Sequence, residues 1–124
     1  MTKILHLAET EHWRHAQESG VYSRSTRGAG LADVGFIHCS STEQLPVVAE
    51  FIYADFTGEL VVLELDGPAM EAAGIEIKHE DDGDGDGELY PHIYGAVKCE
   101  WVNATYPASM VDGKLVAPGL DLED

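Results

Sequence analysis

Basic residues are scarce in this chain: seven Lys and Arg stand against 23 Asp and Glu, a formal charge of −16 over 124 residues. A field of that sign repels polyanions, so a nucleic-acid polymer is not an expected partner without a local basic patch. It equally disfavours anionic membrane surfaces. No run of apolar residues approaches the roughly 20 needed to span a bilayer, and Met1-Thr2-Lys3-Ile4-Leu5-His6 does not open a secretory leader. Cysteine is nearly absent, with only Cys39 and Cys99. Two cysteines make neither a disulfide framework nor a metal motif, so a cytoplasmic location with reduced thiols is expected. No P-loop, dinucleotide fingerprint or nucleophile elbow occurs.

Hydrophobic residues are not lacking. They form 44% of the chain, enough to build one core without staples at this length. Lys3 to Ala8 alternates as a strand, with Ile4, His6 and Ala8 on one face and Leu5 and Leu7 on the other. Thr10 can cap a helix that runs to about Ser19 and is stopped by Gly20, with Trp13, Ala16 and Gln17 inward. Residues 23–34 read as a loop holding Arg24 and Arg27, two of the three arginines. Phe36 to Cys39 is a short buried strand. Ser40 or Ser41 then opens a capping box with Glu43 or Gln44, and Pro46 falls in the first turn of a helix to Tyr53. Leu60 to Leu65 is a strand, Pro68 to Ala73 a short helix, and Ile75 to His79 another strand.

Asp81 to Glu88 is an acidic, glycine-rich stretch, expected to be a mobile surface loop (81–89) rather than a calcium site. Position twelve counted from Asp81 is His92, where a calcium loop needs glutamate. Pro91 to Gly95 reads as a proline–glycine turn carrying His92. Ala96 to Ala104 reads as a strand with Val97, Cys99, Trp101 and Asn103 on one face. Asp112-Gly113 signals a hairpin, and Gly119 to Asp124 is an acidic tail. The expectation is a single α+β domain over residues 1–118 with a mixed, mostly antiparallel sheet, monomeric by default.

The chemical signal lies in histidines. His6 and His38 interrupt apolar strands, and His92 sits near a proline. A buried imidazole needs partners for both nitrogens, so each is either a satisfied core residue or part of a site. Alternation turns His38 with Phe36 and Ser40 and away from Cys39, which argues against a Cys39–His38 nucleophile pair. Zinc held by His6, His38 and His92 would have to be assembled by the fold. Arg24 and Arg27 suit a phosphate or carboxylate.

Gly35-Phe36-Ile37-His38-Cys39-Ser40, Pro91-His92-Ile93-Tyr94-Gly95, the opening Ile4-Leu5-His6-Leu7, Gly20-Val21-Tyr22, Gln44 and Leu60-Val61-Val62-Leu63 resemble the bacterial domain-of-unknown-function family 952 over residues 3–105. The resemblance implies an ADP-ribosyltransferase-like fold, of the branch with one histidine on each of two strands, and hence NAD as a candidate cofactor. On that basis His6, His38 and His92 are the candidate catalytic residues, and His6, Tyr22, Arg24, Arg27, Ser40 and Tyr94 the candidate cofactor-binding residues, with no metal assigned. The implied activity is transfer or hydrolysis at an anomeric ribose carbon. The glutamate that completes many such transferases has no counterpart: Glu100 should face away from Cys99 and Trp101. Two alternatives follow, a noncatalytic small-molecule module and a metal-dependent enzyme using the three histidines.

Overall fold

A computed structural model describes residues 3–81 and 88–120. The element order is β1 (Ile4–Glu9), α1 (Thr10–Ser19), β2 (Val21–Tyr22), β3 (Arg24–Thr26), β4 (Ala29–Gly30), α2 (Leu31–Val34), β5 (Ile37–His38), α3 (Leu45–Tyr53), β6 (Leu60–Leu65), α4 (Gly67–Ala72), β7 (Glu76–Asp81), β8 (Leu89–Tyr94), β9 (Val97–Lys98), a 3-10 turn (Cys99–Trp101), β10 (Val102–Val111) and β11 (Lys114–Val116). The fold is α+β, and every strand pairing among the described residues is antiparallel.

Two sheets carry the structure. The first has the order β1-β6-β10-β11, the second β5-β8-β7. They meet where Leu5 and Ser40 exchange both backbone hydrogen bonds, each at 2.8 Å. β6 is apolar on both faces because both are covered. Val61, Leu63 and Leu65 join Ala8, Ala16, Ile37, Cys39 and Ile93 in one core cluster. Leu60 and Val62 join Leu5, Leu7, Leu45, Ala49 and Tyr53 in the other. Burying a side chain of this size contributes about 1.5–3 kcal/mol, so this central strand anchors both layers.

Local chemistry sets the ends of the elements. Gly20 closes α1 in the left-handed region at φ 88° and donates its N–H to the Ala16 carbonyl. Ser41 and Gln44 form a reciprocal box: the Ser41 N–H donates to Gln44 Oε1 at 2.9 Å, and the Gln44 N–H to Ser41 Oγ at 3.2 Å. Pro46 sits in the first turn of α3, where its missing N–H costs nothing. Asp112 and Gly113 turn the β10–β11 hairpin, with φ of 52° and 78°.

Four expectations from sequence need correction. Residues 23–34 are not a loop but β3, β4 and α2. They were illegible as strands because two- and three-residue strands of Ser, Thr, Gly and Arg carry no hydrophobic alternation. Pro91 to Gly95 is not a turn: its first four residues lie in β8, the central strand of the second sheet. A mid-strand proline normally argues against such a placement, yet its carbonyl still accepts from the Cys39 N–H at 2.9 Å. The Ala96 to Ala104 strand is interrupted by the 3-10 turn, which leaves Trp101 buried and Asn103 exposed. Gln17 is exposed, while Ala16 is the buried residue of α1. Asp81 ends β7 and Leu89 starts β8; residues 82–87 of the acidic stretch and 121–124 of the tail lie outside the described residues.

Candidate functional site

The second sheet has one face in the core and one face open. Ile37, Cys39 and Ile93 turn inward. Strand alternation sends His38 of β5 with Phe36 just before it, and Tyr90, His92 and Tyr94 of β8, to the other side. There they floor a cleft of about 500 Å³. Val47, Val48, Phe51 and Ile52 of α3 form the facing wall. Phe51 is 87% exposed at the mouth. Glu80 and Asp81 are the acidic residues of the lining, which contains no Lys or Arg among the described residues.

A hydrogen-bonded chain crosses the floor. His38 and His92 are directly opposed in the β5–β8 ladder, and His38 Nδ1 lies 3.3 Å from His92 Nε2. His92 Nδ1 lies 2.9 Å from Glu80 Oε1. The Tyr94 hydroxyl donates to the same carboxylate oxygen at 2.5 Å. The proton positions follow from the acceptor at the end. A carboxylate only accepts, so His92 Nδ1 carries the hydrogen, and in the neutral His92 ring Nε2 is then a lone pair. His38 must then donate through Nδ1, which leaves its own Nε2 as a lone pair. The order Glu80–His92–His38 is therefore a polarised relay ending in a base.

Each member is held from outside. Phe36 stacks on His92 with ring centroids 4.0 Å apart and planes 14° apart. The His38 N–H donates to Ser25 Oγ at 3.2 Å. Burial, and the repulsion that a protonated His92 would add, lower the His38 pKa to about 4, so the imidazole is neutral at pH 7, with a free lone pair of weakened basicity. The hydrogen bonds from Tyr94 and then His92 hold Glu80 below the usual carboxylate range. Glu80 therefore stays ionised.

His6 is not part of this relay. Its Nδ1 donates to the His38 carbonyl at 2.7 Å, and its Nε2 accepts from the Tyr22 hydroxyl at 2.8 Å. Burial lowers its pKa to about 4 and pushes the Tyr22 hydroxyl well above its ordinary range. Both ring nitrogens are used within the fold. His6 and Ser40 touch only a recess of about 10 Å³ that shares His38, Thr26, Val48 and Ile52 with the cleft. That volume holds about one water.

Of the sequence candidates, the cleft brings together His38, His92 and Tyr94. It does not bring in His6, Tyr22, Ser40, Arg24 or Arg27. Arg27 pairs with Asp55 at 2.6 Å and lies over the rings of Tyr53 and Phe56. Arg24 lines a separate pocket with Tyr22. Among the described residues no three His, Cys, Asp or Glu side chains are arranged to hold a metal ion. Cys39 is fully buried and its thiol pKa is raised by burial, which makes it an inert core residue.

Sequence reasoning missed Glu80. It stands on β7, where no residue is fully buried, and it reaches His92 because β7 pairs antiparallel with β8, with Lys78 opposite His92 and Glu80 two residues further along. Glu100, the acid tested from sequence, is exposed on the 3-10 turn.

A family model described as a protein of unknown function, DUF952, matches residues 7–105. Crystal structures of protein CC0527 from Caulobacter crescentus and of its doubly substituted variant are similar to the chain. Each has a TM-score of 0.74 and 26% identity, covering 93% of this chain and 94% of that one. No curated protein matches.

Proposed function

The chain belongs to the DUF952 family of proteins of unknown function, and since that name carries no chemistry, we propose from the site itself that the cleft binds a small molecule and performs proton transfer on it through His38. The observation that supports this is the Glu80–His92–His38 chain ending in a cleft of about 500 Å³. Clefts of this size with a few convergent polar groups are the usual form of a small-molecule site, and a base backed by an oriented donor is the recurring form of general-base catalysis.

The lining restricts the ligand. Apolar and aromatic walls favour a flat, apolar group. Glu80 and Asp81, in a lining that holds no arginine or lysine, favour an uncharged or cationic one. The nicotinamide end of NAD is such a group, and NAD is the ligand that the family resemblance implies. In that version water or another acceptor attacks the anomeric carbon. The carbon–nitrogen bond breaks and its electron pair returns to the pyridinium ring, releasing neutral nicotinamide. The acceptor's proton passes to His38 Nε2, and Glu80 stabilises the resulting charge through His92.

Titration of the isotopically labelled protein with nicotinamide, NAD and ADP-ribose tests both levels. NAD and nicotinamide should shift the amide signals of Phe36, His38, His92 and Tyr94, with ADP-ribose alone shifting them less. Mass spectrometry for released nicotinamide then separates an enzyme from a noncatalytic binding module. Unmoved cleft signals at millimolar concentrations of all three would remove NAD as the ligand and leave the relay without a substrate.

A further inference from the structure

A second pocket, of about 220 Å³, lies against α1 and β2 and is lined by His12, His15, Ser19, Tyr22, Ser23 and Arg24. Its lining is opposite in character to the cleft's: one arginine and two histidines, with no Asp or Glu. We infer that this pocket binds a small oxyanion, a phosphate or carboxylate group, with the Arg24 guanidinium as its anchor.

The chain has three arginines and 23 acidic residues. Arg14 is paired with Glu11 and Glu18, and Arg27 with Asp55. Arg24 has no such partner among the described residues, although the carboxylates outnumber it so heavily. Its Nε is the one buried side-chain nitrogen or oxygen there that lacks a hydrogen-bond partner. A buried donor left unpaired is unfavourable, and native structures retain one where something else completes it. The close approach of β3 and β4 fixes the side chain. A Cβ placed on Gly30 would lie 3.5 Å from one terminal nitrogen of Arg24 and 3.2 Å from the Ser23 carbonyl. The guanidinium is thus held beside a pocket wall in a planar form suited to two parallel hydrogen bonds to an oxyanion.

The histidines stand ready at the rim. His12 Nδ1 is 3.8 Å from Glu9, and His15 lies 3.5 Å from Glu11 and 3.6 Å from Glu18. Exposed contacts of this length are weak, so either ring is available to a ligand. The site is independent of the cleft chemistry, because none of its eight lining residues lines the cleft.

The test is a titration with inorganic phosphate and, separately, acetate, at constant ionic strength set with chloride, following the Arg24 Nε–H signal and the amides of Ser23 and Arg24. At least one oxyanion should give a saturable shift that chloride does not. Arg24→Gln should weaken it roughly tenfold or more, with Arg24→Lys intermediate because lysine lacks the planar fork. Stronger response to phosphate assigns the site to phosphate esters, and stronger response to acetate to carboxylates. Absence of saturation with both, or an equal response in a folded Arg24→Gln protein, overturns the inference. The amide spectrum away from the pocket reports whether that variant has kept its fold.

Discussion

At the scale of single residues, three histidines with the same look in the sequence have divided into two kinds. His6 spends both ring nitrogens on the Tyr22 hydroxyl and the His38 carbonyl. His38 and His92 spend theirs on each other and on Glu80, and one lone pair remains. Burial alone does not separate them, since His6 and His92 are almost equally inaccessible. What separates them is where each hydrogen-bond chain ends: at a backbone carbonyl within the fold, or at a lone pair facing open space. A testable consequence is tautomeric. Long-range proton–nitrogen spectra near pH 7.5 should show hydrogen on Nδ1 in all three rings, against the Nε2 tautomer that free imidazole side chains commonly prefer. Glu80→Gln replaces the fixed acceptor with an amide that can present either group. It should mix the tautomers of His92 and His38 and leave His6 unchanged. Any turnover found should fall about 10- to 100-fold, the usual effect of removing a group that orients a functional histidine. A pure Nδ1–H pattern surviving in that variant would show that the carboxylate does not set the relay.

At the scale of elements, the β10–β11 hairpin gives the cleanest link from sequence to geometry. Asp112-Gly113 has positive φ at both central positions, the conformation whose twist matches that of paired strands. Gly113→Ala places a Cβ in the left-handed region and should cost about 1–2 kcal/mol in urea unfolding. Gly119→Ala, at an exposed glycine outside the left-handed region, serves as the control, and no loss at Gly113 would refute the turn assignment. The same kind of signal made β1, α1, the Ser41–Gln44 box, α3 and β6 legible, because each depends on neighbours a few positions apart. The second sheet was harder. His38 could be placed on the Phe36 face from alternation within one strand. Its pairing with His92 depends on a contact between residues 54 positions apart, which no local pattern encodes. Pro91 and Gly95 then disguised β8 as a turn, and with β8 lost, Glu80 had no visible connection to any histidine. The candidate site was legible as residue types and hidden as geometry. For the same reason Arg24 and Arg27, close in sequence, could not be seen to part, one to the pocket beside α1 and the other to Asp55.

At the scale of the whole molecule, the two sheets are stitched at Leu5–Ser40, and His6 lies next to that seam with its ring bonded to the His38 carbonyl. The protonation of this region is therefore coupled to folding. His6 and His38 each have a folded-state pKa lowered to about 4, against about 6.5 in an unfolded chain. Between those values the unfolded state binds more protons than the folded one, so stability rises with pH across the interval. The contribution is complete above about pH 6.5 and is lost as pH falls towards 4. For His6 the loss between pH 7.5 and 5.5 is on the order of 1 kcal/mol. His38 borders the open cleft and adds a smaller share. A counter-current exists: the charge of −16 repels itself, and protonating carboxylates relieves that repulsion. Most carboxylates titrate near pH 4, so the relief comes lower than the histidine loss and does not mask it above pH 5.5. The urea midpoint should therefore drop between pH 7.5 and 5.5. His6→Phe should be less stable at pH 7.5, by about 1–3 kcal/mol for the two unpaired groups it leaves, and its midpoint should depend less on pH over that interval. A wild-type midpoint that holds steady, or a His6→Phe protein with an undiminished slope, would mean that the buried imidazole at the seam does not govern the acid sensitivity of the fold.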